Sequence, residues 1–571
     1  MGERPIVERM AVRPDRRLAG IDPILERLYV ARGVSDADEL DYRLAALAPV
    51  SELDNVDAAV DLLLAKRNER IIVVGDFDVD GATSTALILR CLAAFGFRDT
   101  EYLVPNRFEF GYGLTPELVA VAADRSPALI VTVDNGISSR DGVAAARAAG
   151  IAVLITDHHL PPDELPQADV IVNPNMPGSR FPSRNLAGVG VAFYVMAALG
   201  RALADAGDPG AARVPAQYLD LVALGTVADV VPLDRNNRVL VEQGLRRIRS
   251  GRTVPGLAAL LQVAGRTTPR AISSDLGFAV GPRLNAAGRL DDMSIGIECL
   301  LTDDHATAAR HAAALDAINR ERRDIESTMR EQAFAFVDRF DAHRLPACVC
   351  VYDERWHQGV VGLIAARVKE RCFRPVIAFA REGDGRLKGS VRSVSGVHAR
   401  DLLEGVASAH PGLIEKFGGH AMAAGLTIAE PHYDEFAEAA SRQLERLYPD
   451  ADFSGKLLTD GPLPASALAL DFARTLRGAG PWGAGFPEPL WSGDFDIVDS
   501  RTVGEHHLRL TVRPPDGAAA IDAIAFHQAG PAYRGRVRLV YRLDVNEYRG
   551  VERPQLIVEQ ITPLDSRTGR R

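Results

Sequence analysis

Residues 71–81, IIVVGDFDVDG, join a β-branched run to a glycine and three carboxylates spaced two apart, Asp76, Asp78 and Asp80. The apolar run has the pattern of a strand buried on both faces, and the ATSTALILRCLAAFGF that follows is helical in composition. Acids at the carboxyl end of such a strand stand where open α/β sheets take their ligands. Three negative charges this close repel unless a cation lies among them, so the pattern asks for a divalent metal. D-x-D-x-D-G also opens an EF-hand calcium loop, but that loop needs a helix before it and a glutamate at its twelfth position, which here is Leu87. A solvated acidic turn is the blander alternative, and the downstream sequence speaks against it. LIVTV (129–133) runs into Asp134-Asn135-Gly136, IAVLIT (151–156) into Asp157-His158-His159, and the apolar LVALGTVADVVPL carries Asp229.

Carboxylates with one or two imidazoles are hard oxygen donors with some nitrogen, a set for Mn²⁺ or Mg²⁺ rather than for a thiolate zinc site. The acids exceed what one such ion requires. Two divalent ions roughly 3.5–4 Å apart, bridged by a shared carboxylate, are the usual arrangement for hydrolysing phosphate esters. The residues alone therefore point to metal-dependent phosphoester hydrolysis.

The elements that must position these groups follow from length and pattern. A chain of 571 residues predicts three or four domains. Its 47% hydrophobic and 25% charged content is that of a globular protein, and a net charge of −10 leaves nucleic-acid binding to local basic surfaces. The five cysteines form no CxxC pair, which predicts buried thiols in a reducing cytoplasm. The first residues lack a signal-peptide core and no run approaches ~18 apolar residues, so no membrane span is expected. Residues 1–50 read as a charged lead-in. Alternating strands and helices over 51–300 predict a parallel-sheet α/β domain. A linker helix over 301–345 carries a heptad-like seam of Leu315, Ile318, Ile325, Met329, Phe336 and Phe340, expected to pack on the chain's own domains. A second α/β domain is expected over 346–450. Five strand-like segments within 455–571 predict a small OB-fold-like β-barrel.

GDFDVDG, VDNG, TDHH and GTVADVVPL resemble the four motifs of the DHH phosphoesterases. GPRLNAAGR (281–289), HQGVVG (357–362), KGSVRS (388–393) and GGHAMAAG (418–425) are similar to the RecJ branch of that superfamily, the single-strand-specific DNA exonucleases working 5′ to 3′ in recombination and repair. The likeness covers residues 50 to 565, with eight motifs in order. It implies a DHH catalytic domain, a DHHA1-like substrate-binding domain and an OB-fold DNA-binding domain. It also implies that Asp76, Asp78, Asp80, His158 and Asp229 hold two metal ions, that Asp134 bridges them, and that His159 faces the scissile phosphate. Asp157 is either a ligand or an orienting group behind the imidazoles. One departure stands out: the simpler pyrophosphatase members carry histidine where this chain has Val74, so Asp76 substitutes.

Substrate contacts are expected from Arg107 and Tyr112 in NRFEFGYGL, from Arg283, Asn285 and Arg289, and from Lys388, Ser390, Arg392 and Ser393. Arginine beside serine and glycine suits bidentate phosphate capture with backbone donors. His357 and His420 complete this group. In the barrel, alternation sets Arg536, Arg538 and Arg542 on one face of one strand and Arg509, Thr511 and Arg513 on one face of another, which reads either as a track for single-stranded DNA or as a solvated face. Rival functions are cleavage of pyrophosphate, cyclic dinucleotides or short oligonucleotides, and a non-catalytic replication scaffold. The resemblance further implies a monomer working with a helicase and a single-strand-binding protein.

Overall fold

The structure, a computed structural model, describes residues 3–10, 18–105, 113–340, 345–383, 385–504, 506–517, 519–528, 530 and 532–564. The chain divides into two compact units, one of Glu8–Ala317 with Leu458–Arg571, the other of Met1–Val7 with Ile318–Leu457.

In the first unit, β1 (Ile71–Gly75), β2 (Thr100–Leu103), β3 (Leu129–Val133), β4 (Ala152–Thr156) and β5 (Val170–Val172) form a parallel sheet in the order β2-β1-β3-β4-β5. Every residue of β1 and β3 is buried, as an all-apolar strand between two helical layers must be. The order reverses between β1 and β3, so the acids after these strands flank the topological switch point. The helices that matter to the site are α1 (Val79–Ala94), α2 (Gly188–Asp205), α3 (Leu219–Ala228) and α4 (Gly281–Leu290). One sheet face packs Ile71, Val73, Leu129, Val131 and Leu154 against Val191, Ala192, Val195 and Leu199 of α2. Among the described residues α2 is the one helix long and apolar enough to cross a membrane, but 72% of it is buried inside the fold, and it is a core helix.

The helix α5 (His305–Val337) passes from one unit into the other. Its buried stripe is Ala308, Ala312, Leu315, Asn319, Arg322, Glu326, Met329, Ala333 and Val337. Only Leu315 and Met329 of the expected seam belong to it; Ile318, Ile325 and Phe336 are half-buried, and Phe340 is exposed beyond the helix end. The stripe passes through polar residues that apolar counting skips. Arg322 donates to Asn319 at 2.7 Å and pairs with Glu326, which also binds Arg367 at 3.0 Å.

The second unit holds β6 (Val349–Tyr352), α6 (Val361–Cys372), β7 (Val376–Gly383), β8 (Arg386–Arg392), β9 (Lys416–Gly419) and β10 (Ala423–Ala429), with sheet order β9-β10-β8-β7-β6. Only β6 and β7, joined through α6, run parallel.

Back in the first unit, β11 (Trp491–Val503), β12 (His507–Arg513), β13 (Ile521–Ala525), β14 (Arg536–Tyr548) and β15 (Val551–Pro563) close a barrel in the order β11-β12-β13-β15-β14. All five predicted strands are present, and the parallel β13–β15 pairing gives the 1-2-3-5-4 order of an OB-fold. The barrel meets the catalytic domain through the loop 479–488. There Trp482 and Phe486 stack at 5.3 Å, each 6.2 Å from Tyr29, while the Leu233 N–H donates to the Ala484 carbonyl at 2.7 Å.

Candidate metal centre and phosphate-binding loops

Each acid reaches the sheet edge by a different local device. Asp78 caps α1, its Oδ1 accepting the Gly81 N–H at 3.0 Å. Asp80 lies in the first turn of α1 and accepts the Gly188 and Val189 N–H groups at 2.6 and 2.9 Å, so the amino end of α2 holds it. Asp134 has φ +61°, a left-handed conformation for a residue with a side chain, of a kind that costs on the order of 1–3 kcal/mol and clusters at functional sites. A Cβ on Gly188 would lie 2.7 Å from the Asp134 Cβ and Oδ1, so only glycine at 188 leaves the carboxylate its place. Asp229 follows α3 directly; the apolar segment before it is helical.

These devices converge. His158 Nε2 lies 3.1 Å from Asp134 Oδ1 and 3.5 Å from Asp229 Oδ2. Three sets have ligand atoms within 4.8 Å of one another: Asp76, Asp78 and Asp134; Asp134, His158 and His159; and Asp80, His158 and Asp229. Burial, then Asp229 and Asp78, raises the Asp80 carboxyl well above its usual range. Burial, then Asp80 and Asp78, does the same to Asp134. Asp229 is pushed up to about 7 by burial and by Asp78. Such a cluster keeps its negative charges apart from protons only when a cation is supplied. Asp229 Oδ2 is moreover buried without a hydrogen bond. Oxygen donors with one imidazole fit Mn²⁺ or Mg²⁺.

Asp157 is absent from all three sets. Its Oδ1 accepts the His158 and His159 N–H groups and His159 Nδ1 at 2.7 Å, and its Oδ2 accepts the Ile137 N–H. Burial opposes its charge, yet His159 outweighs burial and lowers it to about 2. The same pair raises His159 to about 9 against the effect of burial. Asp157 thus holds the His159 ring by hydrogen bond and belongs to none of the three ligand groups. Asn173 and Asn175 brace the same loop by donating to the His159 and His158 carbonyls at 2.9 and 2.6 Å. Sequence reading missed both, although VIVNPN after an apolar strand repeats the pattern of the other edges. Val74 is fully buried in β1 and offers no ligand atom.

The expected substrate residues divide. Arg107 and Tyr112 lie outside the described residues. Arg283 requires correction: it is 7% exposed, its Nε and Nη2 bind Asp316 at 2.9 Å, and its Nη1 donates to the Ala279 carbonyl, so it braces α4 instead of meeting substrate. Asn285 accepts the Val79 N–H at 3.2 Å and so supports the acidic loop from behind. Arg289 sits half-buried in the last turn of α4. In the second unit, Arg392 Nη1 donates to Ser390 Oγ at 3.0 Å. A Cβ on Gly362 would meet Arg392 Nη2 at 3.0 Å and Ser390 Oγ at 3.1 Å, which sets both beside the first turn of α6. His357 accepts the Gly359 N–H just before that helix, and Lys388 pairs with Glu382 at 3.2 Å. Ser393 is a second correction, being 1% exposed with its hydroxyl donating to the Val397 carbonyl. His420 follows β9 and donates its N–H to the Ala423 carbonyl.

The barrel arginines face outward but are largely matched by acids. Arg538 and Arg536 meet Asp494 at 2.7 and 3.7 Å, Arg509 meets Asp522 at 2.9 Å, and Arg542 pairs with Glu488 and Glu559. Arg513 is exposed and outside this pairing.

A parallel sheet with acids at adjacent strand ends, D-H-H on the third, and a separate mixed sheet defines a DHH-type phosphoesterase. Family models agree: the DHH family N-terminal domain matches residues 70–226, the DHHA1 domain 345–446 and the RecJ OB domain 459–560. The single-stranded-DNA-specific exonuclease RecJ of Salmonella typhimurium (strain LT2) is 50% identical over 558 residues, covering 96% of this chain and 97% of that protein. That of Escherichia coli (strain K12) is 49% identical over the same span, again covering 96% and 97%. Among solved structures, RecJ from Thermus thermophilus in complex with Mn²⁺ superposes with a TM-score of 0.79 at 29% identity, over 95% of this chain and 76% of that one. The chain belongs to the RecJ family.

Proposed function

We propose that this protein is a metal-dependent exonuclease that hydrolyses single-stranded DNA from a 5′ end, in recombination and repair. Asp134 carries the reading. Its carboxylate is grouped with Asp76 and Asp78, while its Oδ1 also lies 3.1 Å from His158 Nε2, which supports a ligand shared by two ions. Asp80 and Asp229, grouped with His158, complete the shell. Bound there, two Mn²⁺ or Mg²⁺ ions would supply an activated water and neutralise charge at the scissile phosphate. His159, kept protonated by Asp157, would donate from Nε2 to a phosphate oxygen. The full-length likeness to single-stranded-DNA-specific exonucleases supports the substrate.

For the 5′ polarity the support is chemical. Arg392 and Ser390, beside the first turn of α6, are donors suited to a terminal phosphate, and Gly362 keeps that first turn open. On this reading the barrel lengthens the DNA track, and the enzyme acts as a cytoplasmic monomer beside a helicase and a single-strand-binding protein. Five buried free thiols accord with a reducing compartment. The test is incubation of the purified protein and Mn²⁺ with end-labelled single-stranded DNA, duplex DNA and a dinucleotide. Mononucleotides should accumulate from the single strand alone, from its 5′ end. Equal attack on the duplex, or attack confined to the dinucleotide, would overturn the reading.

A further inference from the structure

Two of the most exposed apolar side chains of the catalytic domain stand together beside the metal centre. Val230, 68% exposed, follows the ligand candidate Asp229 directly, and it has φ +63°, a conformation that a β-branched residue rarely adopts. Phe278, 82% exposed, projects from the π-helical turn Leu276–Val280. Turns of that kind recur at functional sites. This turn packs on the end of α3, where a Cβ on Gly277 would meet Val227 Cγ1 at 3.2 Å. Both side chains line a cavity of about 290 Å³ whose far wall is the loop 480–488, with Pro481, Trp482 and Pro487.

The charges around this cavity cancel. Arg249 meets Glu242, Arg477 meets Asp544 and Arg542 meets Glu488. A phosphate would gain little there, since each cation already has its acid. An uncharged planar ring would gain apolar and aromatic walls. The cavity is also continuous in sequence with the metal edge, because Thr226 to Val231, less Asp229 itself, form one wall.

We propose that this cavity receives an unpaired base of the strand being cut, on the 3′ side of the scissile phosphate, with Phe278 stacking on it and Val230 supporting its edge. The proposal rests on the reading of the site as a single-strand nuclease. It adds a base-binding position between the metal centre and the barrel, at a cavity whose lining cations Arg249, Arg477 and Arg542 are each paired with an acid. Stacking on one aromatic ring tolerates every base, which suits an enzyme that must advance along any sequence.

Abasic scanning tests it. Single-stranded oligonucleotides lacking one base at successive positions from the 5′ end are titrated against the full-length protein in EDTA. The wild type should lose about five- to a hundredfold in affinity at one position near the 5′ end, the range of a single base–aromatic stack. Phe278→Ala should bind the intact strand weaker by a similar factor and lose nothing further at that position. Phe278→Tyr should restore the wild-type profile. Because Phe278 lies in solvent, its replacement leaves the core packing untouched, and circular dichroism verifies the fold. A flat profile for the wild type, or an unchanged drop in Phe278→Ala, overturns the proposal. Cleavage of single-stranded DNA in Mn²⁺, measured in parallel, separates the two readings: an intact ladder with a flat abasic profile sinks the base pocket and leaves the nuclease standing.

Discussion

At the carboxyl ends of β1, β3 and β4, Asp76, Asp80, Asp134 and Asp157 are buried beside Asp78 and Asp229, and Asp80, Asp134 and Asp229 are driven toward protonation by burial and by neighbouring carboxylates. On the barrel of the same unit, Arg509, Arg536, Arg538 and Arg542 each stand against an acid on a neighbouring strand or loop. Like charges gathered without compensation are tolerated only where a ligand of opposite charge repays them, whereas opposite charges facing each other across a ladder satisfy themselves. An uncompensated cluster marks chemistry; a compensated one marks surface.

Removing the centre of the uncompensated cluster should have the largest effect. Asp134→Ala is expected to leave less than about a tenth of the wild-type rate, because a shared ligand organises both ions. DNA affinity measured by anisotropy should survive, since phosphate contacts lie elsewhere. A variant that folds and keeps more activity than this would dissolve the two-ion assignment.

Arg392→Ala comes next. Loss of one charge-assisted contact costs about 1.5–3 kcal/mol, so the preference for a 5′-phosphorylated over a hydroxyl-ended strand should fall by roughly ten- to a hundredfold. Comparing both ends in both proteins isolates the contact, and an unchanged ratio would take Arg392 out of the pocket.

The repulsion itself should be visible as a pH effect on metal-free protein. Asp80, Asp134 and Asp229 hold protons in the folded state that the unfolded chain has already released, so stability falls as pH rises from about 4 through about 7, where Asp229 titrates. His159, raised to about 9, loses its stabilising proton on the same rise and adds to the decline above neutrality. Melting temperatures in EDTA should therefore drop between pH 5 and 7.5, and added Mn²⁺ should raise them more at the higher pH. A melting temperature that climbs in EDTA would mean the cluster is already neutralised by the protein's own cations.

The smallest effect belongs to the barrel. Removing the Asp494–Arg538 pair as Asp494→Asn with Arg538→Gln should leave the salt dependence of single-strand binding as it is. Arg513→Gln alone should reduce its log–log slope by roughly 0.7, the share of one phosphate contact. The reverse outcome would show that the paired arginines exchange their acids for DNA.

The same contrast explains what the sequence made legible. GDFDVDG, VDNG and TDHH announce the centre because each acid lies within a few residues of the strand that delivers it. The barrel was visible too, since its five strands alternate. Pairing was not visible: Asp494 and Arg538 are direct partners 44 residues apart, and only the register of β11 with β14 reveals it. Arg283 and Ser393 misled for a similar reason. Their phosphate-like contexts hide the acceptors Asp316 and the Val397 carbonyl, contacts set by packing. In α5 the buried Asn319, Arg322 and Glu326 interrupt the apolar period, so the seam was drawn through half-buried neighbours.

The helix that grips Asp80 with its first N–H groups has a bearing on how the chain is made. Taken alone, residues 188–205 would pass for a membrane anchor as they leave the ribosome. All five strands of the sheet that buries α2 precede it in the chain. Domains fold as they emerge, amino end first, so a receptive apolar face can exist before α2 is synthesised. The order of elements lets the sheet be in place before α2 is made, and the docking that hides the helix is the event that brings Gly188 to Asp80 and completes the nuclease edge.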